Sequence, residues 1–430
     1  MSKALRVGLA GLGTVGGGVI KLLEANRALI ERRANRPVEV VAISARDRNR
    51  ERGIDLSPFT WVDDATQMAA RPDVDVVVEL IGGADGPALT LARATLEAGK
   101  AFVTANKAMI AHHGAELAAL AESKNAPLKF EAAVAGGIPV IKGLREGAAA
   151  NALSQVYGIL NGTCNYILTE MEESGASFAQ VLSDAQKLGY AEADPTFDID
   201  GIDAAHKLSI LASLAFGGAV DFAHVATTGI RHVDIADIKH AATLGFRVKL
   251  VGLARHENGR LFQRVHPCLV PTSHPLAHVN GALNAVVAEG NFVGRLFFEG
   301  RGAGEGPTAS AVCADLLDVA RGECGPAFSM PANRMEALPT ADPASHVGRY
   351  YLRSIVADRP GVLAELTAIL RDCDVSIESL IQRGQAENGG VYLVMITHMA
   401  PEKMVRAALA KMQASDSLLG QPMMMHILDF

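Results

Sequence analysis

The chain opens with an apolar run, a glycine-rich turn and a helix-forming stretch in direct succession, LRVGLA, GLGTVGGG and VIKLLEA, and few folds accept that order. Gly11, Gly13 and Gly16 fit G-x-G-x-x-G. The first glycine makes a tight turn, the second lets backbone approach a pyrophosphate, and the third lets the helix pack on its strand. Thr14 and Val15 complete this candidate cofactor loop, and the helix N-terminus turns its positive dipole end to the phosphates. The unit then repeats. A strand, VEVVAIS (38–44), follows a helix of suitable length; a helical stretch covers Asp63 to Ala70; VDVVVEL (74–80) is the continuous apolar run of a strand buried on both faces. A helix (88–98), the strand KAFVTAN, a helix (113–123) and the strand-like LKFEAAV continue the pattern. It predicts an α/β, Rossmann-type, doubly wound parallel sheet over residues 1–135. Ligands then sit at the carboxyl ends of the strands, near Gly82, Gly83, Thr104, Asn106 and Lys107.

The end of the second strand bears on cofactor choice. An NAD-preferring site puts an acid there, but this chain has Ser44, Ala45 and Arg46, followed by Arg48, Arg50 and Arg52. A guanidinium suits a 2′-phosphate, so NADP(H) is expected over NAD(H). A solvated basic loop is the alternative.

From about Asn151 the alternation stops, and residues 136–330 read as a second domain of mixed α+β type. The strand ALSQVYGIL turns at Asn161, Gly162 and Thr163 into a helix, and FRVKLVGLARHENGRLFQRVHPCLV and LNAVVAEGNFVGRLFFEGRG are strand-like. GRGAGEGPTASAV then enters a helix returning to the first domain, with Thr308 and Ser310 as candidate caps. Between these segments, Gly189 to Lys207 packs Glu192, Asp194, Asp198, Asp200 and Asp203 into nineteen positions. With a helix from about Ile202, Asp203 and Lys207 are i and i+4 on one face. They form either a proton-handling pair or a solvated surface pair. An EF-hand is excluded, because its twelfth position would fall on Lys207 where a Glu is required. Upstream, Glu131 and the carbonyls of Ala135, Gly136 and Gly137 suggest a hard-cation site, sodium before magnesium since no second acid is near.

Three prolines and small polar residues mark 331–348 as a linker. Residues 349–430 spell β-α-β-β-α-β, with a DRPGV turn and an AENGG hairpin, a compact independent ferredoxin-like domain suited to regulation or assembly. The net charge of −7 offers no global attraction to nucleic acid. Five cysteines without a CxxC argue against a disulfide framework and for a reducing cytoplasm. The longest apolar run, Leu208 to Val220, suits a buried helix rather than a membrane span.

Taken jointly, GLGTVGGGV, TANK (104–107), FEAAVAGGIPVI, NGTCNYIL, GYAEADPTFDIDGIDAAHKL and EGPTASAV resemble the homoserine dehydrogenases of the long bacterial type, which carry a C-terminal ACT domain. The resemblance spans essentially the whole chain. It implies NAD(P)-dependent interconversion of L-aspartate 4-semialdehyde and L-homoserine, a step toward threonine and methionine. It implies Lys207 as proton donor and Lys107 as a second lysine near substrate and nicotinamide. Glu192 and Asp203 would hold the substrate's amino end, with Asp198 in support and Gly189 beside them. Glu131, Val134, Gly136 and Ile138 match a sodium position, and Gly306 lies where the family closes over the cofactor. Asp358, Pro360, Gly361 and Val362 match where ACT domains seat an amino acid, with L-threonine the implied effector, and the assembly implied is a homodimer or homotetramer.

Overall fold

A computed structural model describes residues 3–386 and 389–429, so Glu387 and Asn388 of the AENGG hairpin lie outside the described residues. The N-terminal sheet contains β1 (Leu5–Ala10), β2 (Val38–Ser44), β3 (Thr60–Trp61), β4 (Val76–Glu79), β5 (Ala101–Thr104) and β6 (Leu128–Lys129). Its order is β3-β2-β1-β4-β5-β6, parallel throughout. This is the doubly wound arrangement, and the strand order reverses between β1 and β4. Helices α1 (Thr14–Ala25), α2 (Arg27–Ala34), α3 (Pro87–Glu97) and α4 (Lys107–Ser123) flank it. Glycine is required at the reversal: a Cβ on Gly11, whose φ is +109°, would lie 2.5 Å from the Leu80 carbonyl oxygen, and one on Gly16 would lie 2.1 Å from that of Gly11. No such contact meets Gly13, where the N-terminus of α1 is open.

Two local readings change. LKFEAAV is strand only at Leu128–Lys129, because Glu131 turns inward, where its carboxylate accepts the N–H groups of Ile141 and Lys142. The helix expected from His113 begins six residues earlier at Lys107, since Asn106 caps it through Met109 N at 3.1 Å.

The second sheet is ten-stranded among the described residues. Its strands are β7 (Leu153–Ile159), β8 (Ala226–Thr227), β9 (Phe246–Glu257), β10 (Arg260–Pro271), β11 (Leu283–Gly290), β12 (Gly294–Arg301), β14 (Tyr350–Val356), β15 (Ile377–Gln385), β16 (Val391–Thr397) and β18 (Met423–Ile427), while β13 (Val347–Gly348) and β17 (Ala400–Pro401) pair apart. The order is β12-β11-β7-β9-β10-β18-β14-β16-β15, with β8 beside β10. The remaining helices are α5 (Val140–Lys142), α6 (Gly162–Ser174), α7 (Phe178–Lys187), α8 (Thr196–Ile199), α9 (Ile202–Phe216), α10 (Ile235–Thr243), α11 (Glu305–Arg321), α12 (Val362–Asp372) and α13 (Glu402–Gln413). Helix α11 returns to α1, where Gly18 is needed because its Cβ would fall 2.7 Å from Glu305. Gly304 is the N-cap of α11, so neither Thr308 nor Ser310 caps it.

The C-terminal unit has the expected β-α-β-β-α-β order, but it is not independent. Strand β18 pairs in parallel with β10 through Cys268 to His426 and Leu269 to Ile427, joining the two sheets into one. An uncovered strand edge is a template for such addition. Residues 331–348 are tied down as well: the Glu336 carbonyl accepts from Ala219 N at 2.9 Å, and Thr340 bridges Leu261.

Buried histidines make this fold acid-sensitive. Burial lowers His206 and His346 to about 4, and lowers His266 and His426 as well. Their ordinary value is 6.5, so the unfolded chain takes up protons that the folded chain refuses. Stability is therefore full above pH about 6.5 and declines toward about 4, with each histidine adding up to about 1.4 kcal/mol per pH unit. The buried carboxyls of Glu131 and Asp315, raised to about 7 and about 6, act in the opposite sense. The effect is therefore read by difference: between pH 7.5 and 4.5 the thermal midpoint should fall less in His346→Gln than in wild type. An identical pH dependence would contradict neutral burial of His346.

Candidate active site

A cavity of about 770 Å³ opens at the carboxyl end of the N-terminal sheet, lined among others by Lys107, Asn161, Gly189, Asp198, Asp203 and Lys207. Its centre is Asp203, only 3% exposed, on the second residue of α9, where a carboxylate is favoured by the helix dipole. One Asp203 oxygen accepts from Lys207 Nζ at 2.7 Å and from Asn161 Nδ2 at 2.7 Å. The other faces Lys107 Nζ at 2.8 Å. Lys107 heads α4, an unfavourable place for a cation, and Asp203 offsets that. Lys207 also donates to the Leu160 carbonyl at 2.8 Å, leaving one of its three N–H bonds for a ligand.

The surroundings push the two lysines apart. Burial lowers Lys207 by more than Asp203 restores. For Lys107 burial also acts downward, but Asp203, helped by Asp198 and Glu192, outweighs it and the net shift is upward. Burial would raise Asp203, yet the two ammonium groups hold it well below the ordinary carboxylate range. Asp198, raised by burial, accepts from the other hydrogen of Asn161 Nδ2 at 2.8 Å. Thus one amide orients two carboxylates while its oxygen caps α6 through Cys164 N.

The acidic stretch divides its work. Asp198 and Asp203 line the cavity, whereas Asp194 caps Thr196 N and Asp200 pairs with Arg231. Glu192 is exposed and outside the cavity lining, acting on Lys107 only through its charge. Three contributors have no local sequence signal. Asn284 donates to the same Leu160 carbonyl at 2.9 Å. Phe197 lays its ring 5.5 Å from Lys107 Nζ. Glu79, wholly buried, accepts from Thr104 Oγ1 at 2.5 Å and from the N–H groups of Ile81 and Gly82.

That last contact corrects the reading of Thr104, whose hydroxyl ties β5 to β4 instead of facing the cleft. The glycine loop keeps an open face for a dinucleotide at Gly13, Thr14 and Val15, and Arg46 stands exposed beyond β2. Arg52 is committed to the carbonyls of Leu12, Asp47 and Arg50. Gly306 lies in the first turn of α11, with space around it.

Glu131, 2% exposed, is raised to about 7 by burial and by Asp315, itself raised to about 6 by burial. Its two oxygens each accept one backbone N–H, which leaves lone pairs for a cation. Ala135 and Gly136 both have positive φ, so the chain turns sharply there. This oxygen-only donor set suits a hard cation. The expectation that no second acid is near fails, however, because Asp315 packs beside Glu131 and accepts its backbone N–H at 2.8 Å, an acid 184 positions away in sequence. In the C-terminal unit Asp358 lines a shallow cavity with Gln382, Gly384, Gln385 and Val391, and Gly361, at φ +93°, starts α12.

Comparison with known proteins agrees with this anatomy. A family profile described as "Homoserine dehydrogenase, NAD binding domain" matches residues 11–131, "Homoserine dehydrogenase" matches 139–317 and "ACT domain" matches 350–416. The homoserine dehydrogenase of Pseudomonas aeruginosa is 46% identical over 429 residues, covering 97% of each chain. The crystal structure of a homoserine dehydrogenase from Thiobacillus denitrificans superposes with a TM-score of 0.94 at 43% identity, over 99% of each chain. A hyperthermophilic archaeal homoserine dehydrogenase in complex with NADPH matches at TM-score 0.63 and 26% identity, over 74% of this chain and 97% of that one. With a dinucleotide fold, a lysine-carboxylate cavity at its strand ends and similarity along nearly its whole length, the chain belongs to the homoserine dehydrogenase family of NAD(P)-dependent oxidoreductases.

Proposed function

We propose that the chain interconverts L-aspartate 4-semialdehyde and L-homoserine with Lys207 as the proton donor, on the way to threonine and methionine. The observation that carries this is geometric: two lysines share one buried carboxylate, at 2.7 and 2.8 Å, on the wall of a single cavity, and their surroundings shift them in opposite directions. Environments that push two titratable groups apart divide their roles. Lys107 stays an ammonium and stabilises negative charge growing on the aldehyde oxygen. Lys207, weakened as a cation by burial, gives its proton to that oxygen and recovers it in the reverse direction. Asp203 holds both lysines and, with Asp198 in support, receives the substrate's ammonium beside Gly189, while Glu192, expected there too, adds only its charge from outside the cavity lining.

Bound reduced nicotinamide supplies the hydride. Gly11, Gly13, Thr14, Val15 and Gly16 hold the dinucleotide, with Gly306 closing over it and Thr104 contributing through its backbone. Arg46 faces the 2′-phosphate and favours NADP(H); the NADPH in the archaeal relative supports that choice. Arg46→Asp should weaken NADPH far more than NADH, and an unchanged ratio of their KM values would refute the role. Glu131 with the carbonyls of Val134, Gly136 and Ile138 takes Na⁺. Asp358, Pro360, Gly361 and Val362 seat L-threonine as inhibitor, in a cytoplasmic homodimer or homotetramer. None of the described helices is long and apolar enough to cross a membrane.

Initial-rate oxidation of L-homoserine at alkaline pH, with NADP or NAD and with or without L-threonine, tests the whole. Turnover suppressed by threonine supports catalysis and regulation together. Turnover indifferent to threonine removes the effector, and no turnover with either cofactor removes the reaction.

A further inference from the structure

Helix α4 carries Lys107 at its start and His112 five positions on, and α9 carries His206 immediately before Lys207. The two histidines meet between the helices, Nε2 to Nε2, at 3.4 Å. Their ring centroids are 5.4 Å apart and the rings tilt by 64°. At 3.4 Å a direct hydrogen bond is long. The spacing suits a shared ion better: two imidazoles on one tetrahedral zinc, each with Nε2 about 2.0–2.1 Å from the metal, stand about 3.3–3.4 Å apart with centroids about 5.2 Å apart.

The surroundings hold both rings in place. His206 is 4% exposed, its ring stacked at 4.2 Å on Phe222, with Phe197 at 5.6 Å. Phe222 also meets His112, edge to face, at 5.0 Å. Burial keeps the His206 ring neutral at pH 7, so it has a lone pair to give. His112 is exposed, and water can complete a tetrahedron from that side. Two features weaken the hold. A ligating histidine normally donates its other ring N–H to an acceptor, yet His206 Nδ1 is buried without a partner among the described residues. Lys107 and Lys207 also oppose added positive charge there, while Asp203 favours it. An ion held by two such ligands exchanges, unlike one in a closed structural site.

We propose that His112 and His206 bind one divalent ion of the kind that prefers imidazole, zinc first, as an exchangeable clamp between α4 and α9. The ion fastens the two helices that bring Lys107 and Lys207 to one cavity. The site shares no residue with the oxygen donors around Glu131, and it does not depend on the reaction assigned to the cavity.

Isothermal titration of the intact protein with zinc chloride tests it, in wild type and in the variants H112N and H113N. In H112N the tightest zinc binding should weaken by at least about 10- to 100-fold, since losing even an outer partner of a ligand costs that much. H113N should bind as wild type does, because His113 faces Asp85 and Glu116. Zinc should raise the thermal midpoint of wild type and of H113N but not of H112N, because the two rings meet only in the folded chain. Excess Mg²⁺ should not displace it, since that ion prefers oxygen ligands. The one hydrogen bond of the His112 side chain among the described residues is to His206. Without zinc, H112N should therefore keep wild-type stability and homoserine turnover, which separates lost binding from lost folding. The proposal is overturned if zinc does not bind wild type, if H112N binds it with wild-type affinity, or if H113N loses it as fully as H112N.

Discussion

Replacing Lys207 by Ala is expected to lower kcat by about 10²- to 10⁴-fold, the usual contribution of a positioned general acid, and to leave NADPH binding unchanged. The side chain is fixed at both ends of its reach: Asp203 and the Leu160 carbonyl each accept one N–H, and the third is free for substrate oxygen. Nothing in the dinucleotide loop touches it, so a loss confined to kcat follows from the geometry. Asp203 keeps Lys107 and Asn161 as partners in the variant, so its carboxylate is not left unpaired. The pH profile gives a second readout. In the oxidation direction Lys207 must start as the free amine, and its lowered pKa brings that form within reach at alkaline pH. Wild-type kcat should rise through this ionisation, and the variant should lose that limb. Normal turnover in Lys207→Ala would mean that another group delivers the proton.

How much of this was legible in the sequence depends on the range of each interaction. The glycine loop could be read because its three roles lie within six residues, and Asp203 with Lys207 because helical spacing brings i and i+4 together. Lys107 had been placed at the strand ends, but its bond to Asp203 spans 96 positions, and no local rule reports it. A cation at a helix start is disfavoured, but that sign was hidden as well, since the helix was expected only from His113 and not from Lys107. Asn161 looked like a turn residue because its cap is local, whereas its orientation of two carboxylates is tertiary. Thr104 was misread for the converse reason: strand ends face ligand, but a hydroxyl beside buried Glu79 satisfies that acid first. The merging of the two sheets was invisible, since a strand edge carries no mark of which strand will pair with it.

The C-terminal unit is anchored to the rest of the chain by more than strand pairing, and Arg353→Met is expected to reduce stability by about 3–5 kcal/mol, the cost of removing one partner from a buried ion pair. Arg353, on β14, donates to Asp237 of α10 through Nε at 2.5 Å and Nη2 at 3.0 Å. Their side chains are 10% and 0% exposed. Asp237 also accepts from Tyr351 Oη at 3.0 Å and, in the capping box of α10, from Asp234 N at 3.0 Å. Without the guanidinium it would remain a buried anion held only by neutral donors. Methionine fills much of the arginine stem's volume, so the loss measured is chiefly electrostatic. Denaturant unfolding of the single variant and of Arg353→Met with Asp237→Asn separates the contributions. The second substitution removes the stranded charge and keeps an oxygen for Tyr351, so the double variant should regain part of the loss despite carrying two changes. By contrast, breaking the more exposed pair between Arg349 and Glu378 should cost about 1 kcal/mol or less. If Arg353→Met unfolds at the wild-type midpoint, the pair does not anchor the unit, and the pairing of β18 with β10 and the buried pair of Arg264 and Glu402 hold it instead.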